Sequence, residues 1–304
     1  MNGILLLDKP LGLSSNRALQ IVKHRVGATK AGHVGSLDPL ATGMLPICLG
    51  EATKIAGEIL SGRKHYQFTV KLGARTATGD AEGEVIETQP VPHLGRVQVA
   101  AVLERFKGAQ QQTPPMYSAL KKEGQPLYKL ARAGQDVERA PRGIEIFDLA
   151  IGTGAEPDFE ATADTLRLDA TCSKGTYIRV LAEDIARALG TCGHVIKLRR
   201  SWVEPLADEP MQSLEEVEQE PLVLPADRGV PHLPRLDLSA EDTVRLRHGQ
   251  PVALRNGPQA GESVRLYDAA GEFFGIGALA GVVLRPRRLW VEGSTSRIPR
   301  LLKG

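Results

Sequence analysis

Between Gly32 and Gly43 the chain reads Gly-His-Val-Gly-Ser-Leu-Asp-Pro-Leu-Ala-Thr-Gly. The single carboxylate of this stretch, Asp38, sits in a glycine-rich loop that offers many backbone donors. A carboxylate can form a covalent adduct and leave again, and it can balance positive charge developing at a reacting carbon. The same residues also read as an ordinary Asp-Pro turn, with the carboxylate bonding nearby backbone N–H groups. Other chemistries fail on spacing. Gly27 and Gly32 match a phosphate-binding P-loop only until His33-Val34 stands where Lys-Ser/Thr is required. Gly275-Ile276-Gly277 fails as a dinucleotide fingerprint because the third glycine, Gly281, comes one position late. The chain has no His-x-Glu followed by Pro-Cys-x-x-Cys, which a zinc nucleobase deaminase needs. It also has no His-Glu-x-x-His pair and no Gly-x-Ser-x-Gly elbow.

Further stretches accompany the loop in order. They are Leu7-Asp8-Lys9-Pro10 with Gly12 and Ser14-Ser15, Lys64-x-Tyr66 with Leu72-Gly73, and Pro114-Pro115-Met116-Tyr117-Ser118-Ala119-Leu120-Lys121. Lys174-Gly175-Thr176-Tyr177-Ile178-Arg179 and Leu198-Arg199-Arg200 complete the set. On these motifs the chain resembles the tRNA pseudouridine-55 synthases, the bacterial TruB family, over roughly residues 2 to 203. The family more often has threonine where Val34 sits, a change that preserves side-chain shape.

The resemblance implies isomerisation of uridine to pseudouridine at position 55 in the T-arm of tRNA, without cofactor or metal. It makes Asp38 the nucleophile, with attack on the base, attack at C1′ and proton removal at C2′ all left open. Arg179 becomes its ion-pair partner, expected to hold the carboxyl in its ionised form. Tyr66 becomes the residue that stacks on the target base and handles a late proton. Reaching that base requires flipping its nucleotide. His33 resembles the residue that fills the vacated space, and Tyr177 and Leu198 resemble walls of the base pocket. Each of these four also has a bland alternative in loop, helix-start or core packing. Lys9 and Lys30 are phosphate or structural contacts. The resemblance further implies a stand-alone monomer that needs neither guide RNA nor an obligatory protein partner. Two rival functions stay in view: an RNA-binding module with an incidental loop, and a glycosidase, which would need a second positioned carboxylate.

The elements that must position these residues follow from periodicity. Ile4 to Leu7 reads as a buried strand ending in a turn. A helix follows, capped by Ser14 or Ser15, with Leu19, Val22 and Val26 on one stripe and Gly27 as its stop. Gly27 to Gly43 reads as a shaped loop. Tyr66, Phe68, Val70 and Leu72 alternate on one strand face, as do residues from Leu166 to Cys172. Val97 to Phe106 and Thr176 to Leu189 read as helices, the second with Ile178, Leu181, Ile185 and Leu189 on one stripe. The fold class expected is α+β: a pseudouridine synthase fold with a mixed, largely antiparallel sheet flanked by helices. A small C-terminal PUA-like β-barrel is expected beside it, with strands at Pro251 to Leu254, Ser263 to Tyr267, Phe273 to Leu279 and Arg288 to Val291. Turns at Asn256-Gly257 and Gly271 separate them.

Pro225, Pro231 and Pro234 mark a boundary, giving an expected catalytic domain of residues 1–231 and an RNA-binding domain of residues 232–304. Residues 232–304 carry 11 Lys/Arg against 7 Asp/Glu, so the basic charge collects toward the end of the chain. Such a balance suits a polyanionic partner without demanding one. At 304 residues with 42% apolar and 24% charged residues, the composition is that of an ordinary globular protein and not of a membrane-spanning chain. Ile4 to Leu7 is too short for a signal-peptide core. Three widely spaced cysteines suggest reduced thiols and, with the rest, a cytoplasmic location.

Overall fold

The computed structural model describes residues 1–122, 124–152, 164–254 and 263–291. The chain opens with β1 (Gly3–Lys9) and α1 (Ser15–Arg25), then β2 (Ala31–His33), β3 (Ala41–Leu49) and α2 (Ala56–Leu60). The long strand β4 (Lys64–Leu72) leads into a small hairpin, β5 (Ala74–Thr76) with β6 (Val85–Thr88). Next come α3 (Arg96–Glu104), β7 (Gly108–Gln112), a minor hairpin of β8 (Lys121–Lys122) and β9 (Gln125–Pro126), and α4 (Leu127–Arg132). The strands β10 (Arg142–Ile151) and β11 (Thr165–Cys172) precede α5 (Ile178–Ala188), β12 (Gly193–Val203) and α6 (Leu214–Gln219). The C-terminal part holds β13 (Arg235–Asp237), α7 (Ala240–Arg247), β14 (Val252–Ala253), β15 (Ser263–Tyr267), β16 (Phe273–Ala280) and β17 (Val283–Leu289).

Eight strands form the large sheet in the order β1-β3-β12-β4-β11-β10-β7, with β2 on the edge of β3. Only β12 and β3 run parallel, so the sheet is mixed and largely antiparallel. The alternation read in β4 has its expected cause: Tyr66, Phe68, Val70 and Leu72 all face the main core. The stripe on α5 packs onto the same core, and burying each such Leu or Ile stabilises by about 1.5–3 kcal/mol. Gly27 ends the first helix at φ 61°. Of the two serines offered as caps, Ser14 accepts the hydrogen bond from Arg17 N. Ser15 does something else, described below.

Three sequence expectations change. The stretch from Gly27 to Gly43 is not all loop, since β2 lies within it and β3 begins at Ala41. The second long helix starts at Ile178 and not at Thr176, leaving Tyr177 as the residue before it. The last strand runs Val283–Leu289, earlier than Arg288 to Val291. Its Pro286 hides the pattern, and it is accommodated where the register with β16 slips between Ile276 and Gly277. The described C-terminal strands form a five-stranded sheet in the order β13-β15-β16-β17-β14, half of a barrel. The Asn256-Gly257 turn lies outside the described residues.

The two sheets share a second core. Ile4, Ile55, Val203 and Val230 pack with Tyr267, Phe273, Ile276 and Trp290, and Val34 joins them. Lys54 Nζ donates to Leu289 O at 2.6 Å, and Val291 N donates to Glu51 Oε2 at 2.9 Å. All three cysteines are buried free thiols, and burial pushes Cys48 up to about 12 and Cys172 up to about 11. No helix among the described residues is long and apolar enough to cross a membrane.

Candidate active site

The loop carrying Asp38 is fixed from both ends. Ser15 Oγ, at the start of α1, accepts from Leu37 N at 2.7 Å and donates to Leu37 O at 2.9 Å. Asp38 O then accepts from Ala41 N at 3.0 Å as the chain enters β3. Just beyond, Gly43 adopts φ 97°, and a Cβ there would lie 2.2 Å from Arg200 O. Only glycine lets β3 run against β12 at this point, so the loop's exit is set by backbone contact.

Arg179 stands in the first turn of α5 with its side chain 5% exposed. Its Nε lies 2.9 Å from Asp38 Oδ2, while Nη1 and Nη2 donate to Thr78 O and Tyr117 O, each at 2.6 Å. A second carboxylate, Asp80 Oδ2, is 3.6 Å from Nη1. Asp80 is itself anchored by Thr78 Oγ1 at 2.5 Å and Glu82 N at 3.1 Å. The helix that carries Arg179 is held at its start by Gln112, which accepts from Tyr177 N at 2.8 Å and donates to Tyr177 O at 3.1 Å. All three nitrogens of the guanidinium thus have an oxygen in front of them, and only the Asp38 carboxylate, 39% exposed, opens toward solvent.

Acidity in this cluster follows from burial first. Burial pushes the Asp38 carboxyl up from its ordinary value, and Asp80 adds to that, against the opposing pull of Arg179 and Lys9. The family resemblance implies that Arg179 decides the matter. Burial outweighs it here, and the like charge of Asp80 adds to the upward push. Burial likewise pushes the Tyr66 hydroxyl up and the His33 imidazole down, leaving the latter neutral near pH 7.

One cavity of about 610 Å³ gathers these groups. His33, Asp38, Tyr66, Tyr177, Arg179 and Leu198 all line it, although they come from the β2 edge, the loop, β4, the α5 entry and β12. Tyr66 sits opposite Arg200 of β12 on one side and Ala170 of β11 on the other. His33 Nδ1 is buried with no hydrogen-bond partner among the described residues. Asp38 is the one carboxylate among the described lining residues, and Lys64, Arg142, Lys174, Arg179 and Arg200 surround it with positive charge. Asp80, though close, is not in the wall. Lys9 is not on the cavity either: fully buried, it donates to Pro10 O at 2.9 Å and Leu13 O at 2.6 Å, and burial lowers it to about 8. It locks the turn after β1, whereas Lys30 is exposed.

Three family models match the chain. TruB family pseudouridylate synthase (N terminal domain) covers residues 23–178, tRNA pseudouridylate synthase B C-terminal domain covers 179–230, and Pseudouridine synthase II TruB, C-terminal covers 234–290. Among relatives, the tRNA pseudouridine synthase B of Ralstonia nicotianae is 47% identical over 299 residues, covering 95% of this chain and 94% of its own. That of Nitrosococcus oceani is 48% identical with the same coverage. The chain belongs to the TruB family of pseudouridine synthases. As such it is an enzyme, an isomerase. A solved chain from an H/ACA ribonucleoprotein bound to a substrate RNA containing 2′-deoxyuridine superposes with a TM-score of 0.69 at 20% identity, covering 95% of this chain and 85% of that one. A Cbf5-Nop10-Gar1 complex gives the same TM-score and coverage at 22% identity. At those identities the likeness shows a shared fold.

Two polar residues of this TruB-family site were not singled out by sequence reasoning. Asp80 has only a Thr-Gly-Asp turn as local signal, and its link to Arg179 spans 99 positions of chain. Arg200 stood inside a quoted motif and lies two residues after Leu198 on β12. Strand periodicity alone would have put both on one face.

Proposed function

We propose that this chain converts uridine to pseudouridine in the T-arm of tRNA, at position 55, with Asp38 as the nucleophile. The observation that carries the proposal is the cavity itself: one carboxylate ringed by cations, closed by Tyr66, Tyr177 and Leu198. Its size, about 610 Å³, suits a flipped nucleotide. The cationic rim suits the phosphates on either side of it. The relatives' names supply tRNA as the substrate class.

The reaction breaks the bond from C1′ to N1 and makes one from C1′ to C5; C5 loses a proton and N1 gains one. In this reading Asp38, held by Arg179, supports the step that frees the base, and Tyr66 stacks on it and handles the C5 proton. His33 fills the space that the flipped nucleotide leaves. The protein acts as a monomer without guide RNA, its C-terminal part adding affinity for the RNA. A glycosidase reading fares worse, because the second carboxylate it needs is absent from the described cavity wall.

Mapping tests the site. Pseudouridine is located after incubating the protein with an unmodified tRNA transcript and, separately, with its isolated T-arm hairpin. The expected outcome is one modified uridine, the same in both. Modification elsewhere, or an inert hairpin beside an active tRNA, would contradict T-arm recognition.

A further inference from the structure

Arg200 heads the fully buried side chains by size, at 1% exposure, yet it carries a charge. It lies toward the end of β12, with Gly43 of β3 opposite on one side and Tyr66 of β4 on the other. Its Nε donates to Met44 O at 2.8 Å and Nη2 donates to Gly35 O at 3.1 Å. Tyr66, directly opposite it on the neighbouring strand, lines the same cavity, and the charge of Arg200 favours the ionised form of its hydroxyl. Both hydrogen-bond partners are neutral carbonyls. Burying an ion against neutral partners is costly, and an apolar side chain of similar volume would fill the same space more stably. Packing alone therefore gives a poor reason for an arginine here. Its position gives a better one, because the same guanidinium lines the cavity with Asp38 and Tyr66. The loop is shaped to receive it: Gly35 adopts φ 70°, and a Cβ there would come within 3.2 Å of Arg200 Nη1.

We propose that Arg200 is a positioning residue for the isomerisation, held by the Gly35 turn of the Asp38 loop so that its positive charge stands beside the Tyr66 phenol when the proton moves. The proposal rests on the reading of Tyr66 as the proton-handling group and names what makes that role workable. A phenol oxygen that takes the proton from C5 must pass its own proton on, in the end to N1. During that exchange the oxygen carries negative charge on a buried side chain, and a guanidinium lining the same cavity stabilises it. Of the other ionisable groups near Tyr66, Asp38 acts in the opposite sense, and Cys172 stays a neutral thiol at physiological pH. Arg200 is the cation that offsets them.

The test places 3,5-difluorotyrosine, whose phenol ionises near neutral pH, at position 66 and follows its ¹⁹F resonance against pH. Titrations are run with Arg200 in place and in the Arg200→Gln and Arg200→Lys variants, each checked for folding by circular dichroism. The midpoint is expected to rise by about one unit or more with Gln, the usual effect of losing a neighbouring opposite charge. A smaller rise is expected with Lys, which keeps the charge and loses the planar fork. With ordinary tyrosine at position 66, kcat on tRNA should fall roughly tenfold or more in both variants at little change in KM. An unmoved midpoint in either folded variant overturns the proposal, and so does failure of both variants to fold, which would make Arg200 structural. The two readings fail separately. A Tyr66→Phe enzyme with normal turnover removes the proton role while leaving the midpoint shift in place; an unmoved midpoint removes Arg200 while leaving the Tyr66→Phe defect.

Discussion

Around Asp38 two carboxylates compete for one guanidinium. Arg179 faces Asp38 at 2.9 Å and Asp80 at 3.6 Å, and the charge of Asp80 reinforces the upward push that burial gives to Asp38. On the proposed reading only the ionised Asp38 acts as nucleophile, so turnover is expected to fall as pH drops through its midpoint, which lies above the ordinary carboxylate value of 3.8. Removing a like charge favours ionisation. In Asp80→Asn the acid limb of single-turnover rates on tRNA is therefore expected to shift to lower pH, whatever happens to the plateau rate. A limb that stays in place or moves upward would show that Asp80 does not act on Asp38 through charge. Arg179 is less free than a helix residue usually is, since Thr78, Tyr117 and Asp80 hold its guanidinium on the sides that Asp38 leaves open.

At the scale of elements, the Asp38 loop depends on a helix that contributes nothing to the cavity wall among the described residues. The two hydrogen bonds from Ser15 to Leu37 hold the loop against α1, and both are buried. Ser15→Ala leaves the Leu37 N–H and C=O unsatisfied, at a cost of about 1–3 kcal/mol. Chemical denaturation should show that loss, and kcat should fall because Asp38 is the next residue. Unchanged stability would mean the backbone finds other partners. How much of this is legible in the sequence follows the same divide between local and distant. The strand carrying Tyr66 and the helix carrying Arg179 show clean periods of 2 and 3.6, because each buries one face. β3 shows none, since its last seven residues are all buried, and so its start reads as loop. β12 lies between two strands and is visible only through its Leu-Arg-Arg motif. The six site residues emerge from motif resemblance; local composition alone favours a turn for Asp38. What stays hidden are Asp80 and the role of Arg200, whose partners are brought close only by the fold.

Across the whole molecule, the small sheet is tied to the large one through a common core and not merely through a linker. Phe273 and Trp290 pack edge to face at 5.3 Å within a cluster that also contains Ile4, Ile55 and Val203. Deleting residues 232–304 would uncover that core, so a loss of affinity there would not isolate the effect of charge. Charge substitution is the cleaner probe. Arg285 and Arg288 are exposed on β17. If this face meets the RNA backbone, Arg285→Gln with Arg288→Gln should flatten the dependence of log Kd on log salt by about 0.7–0.9 for each phosphate no longer neutralised. At saturating tRNA, kcat should hold. An unchanged slope would place the RNA on another face.

The central claim is that the Asp38 carboxylate performs the chemistry, and Asp38→Asn tests it most directly. Single-turnover conversion of uridine is measured with enzyme in excess over tRNA, alongside tRNA affinity by filter binding. Binding near the wild-type level with no pseudouridine formed is the expected result, since the amide keeps the shape and loses the nucleophile. Conversion by Asp38→Asn at a rate within about tenfold of wild type would contradict the claim.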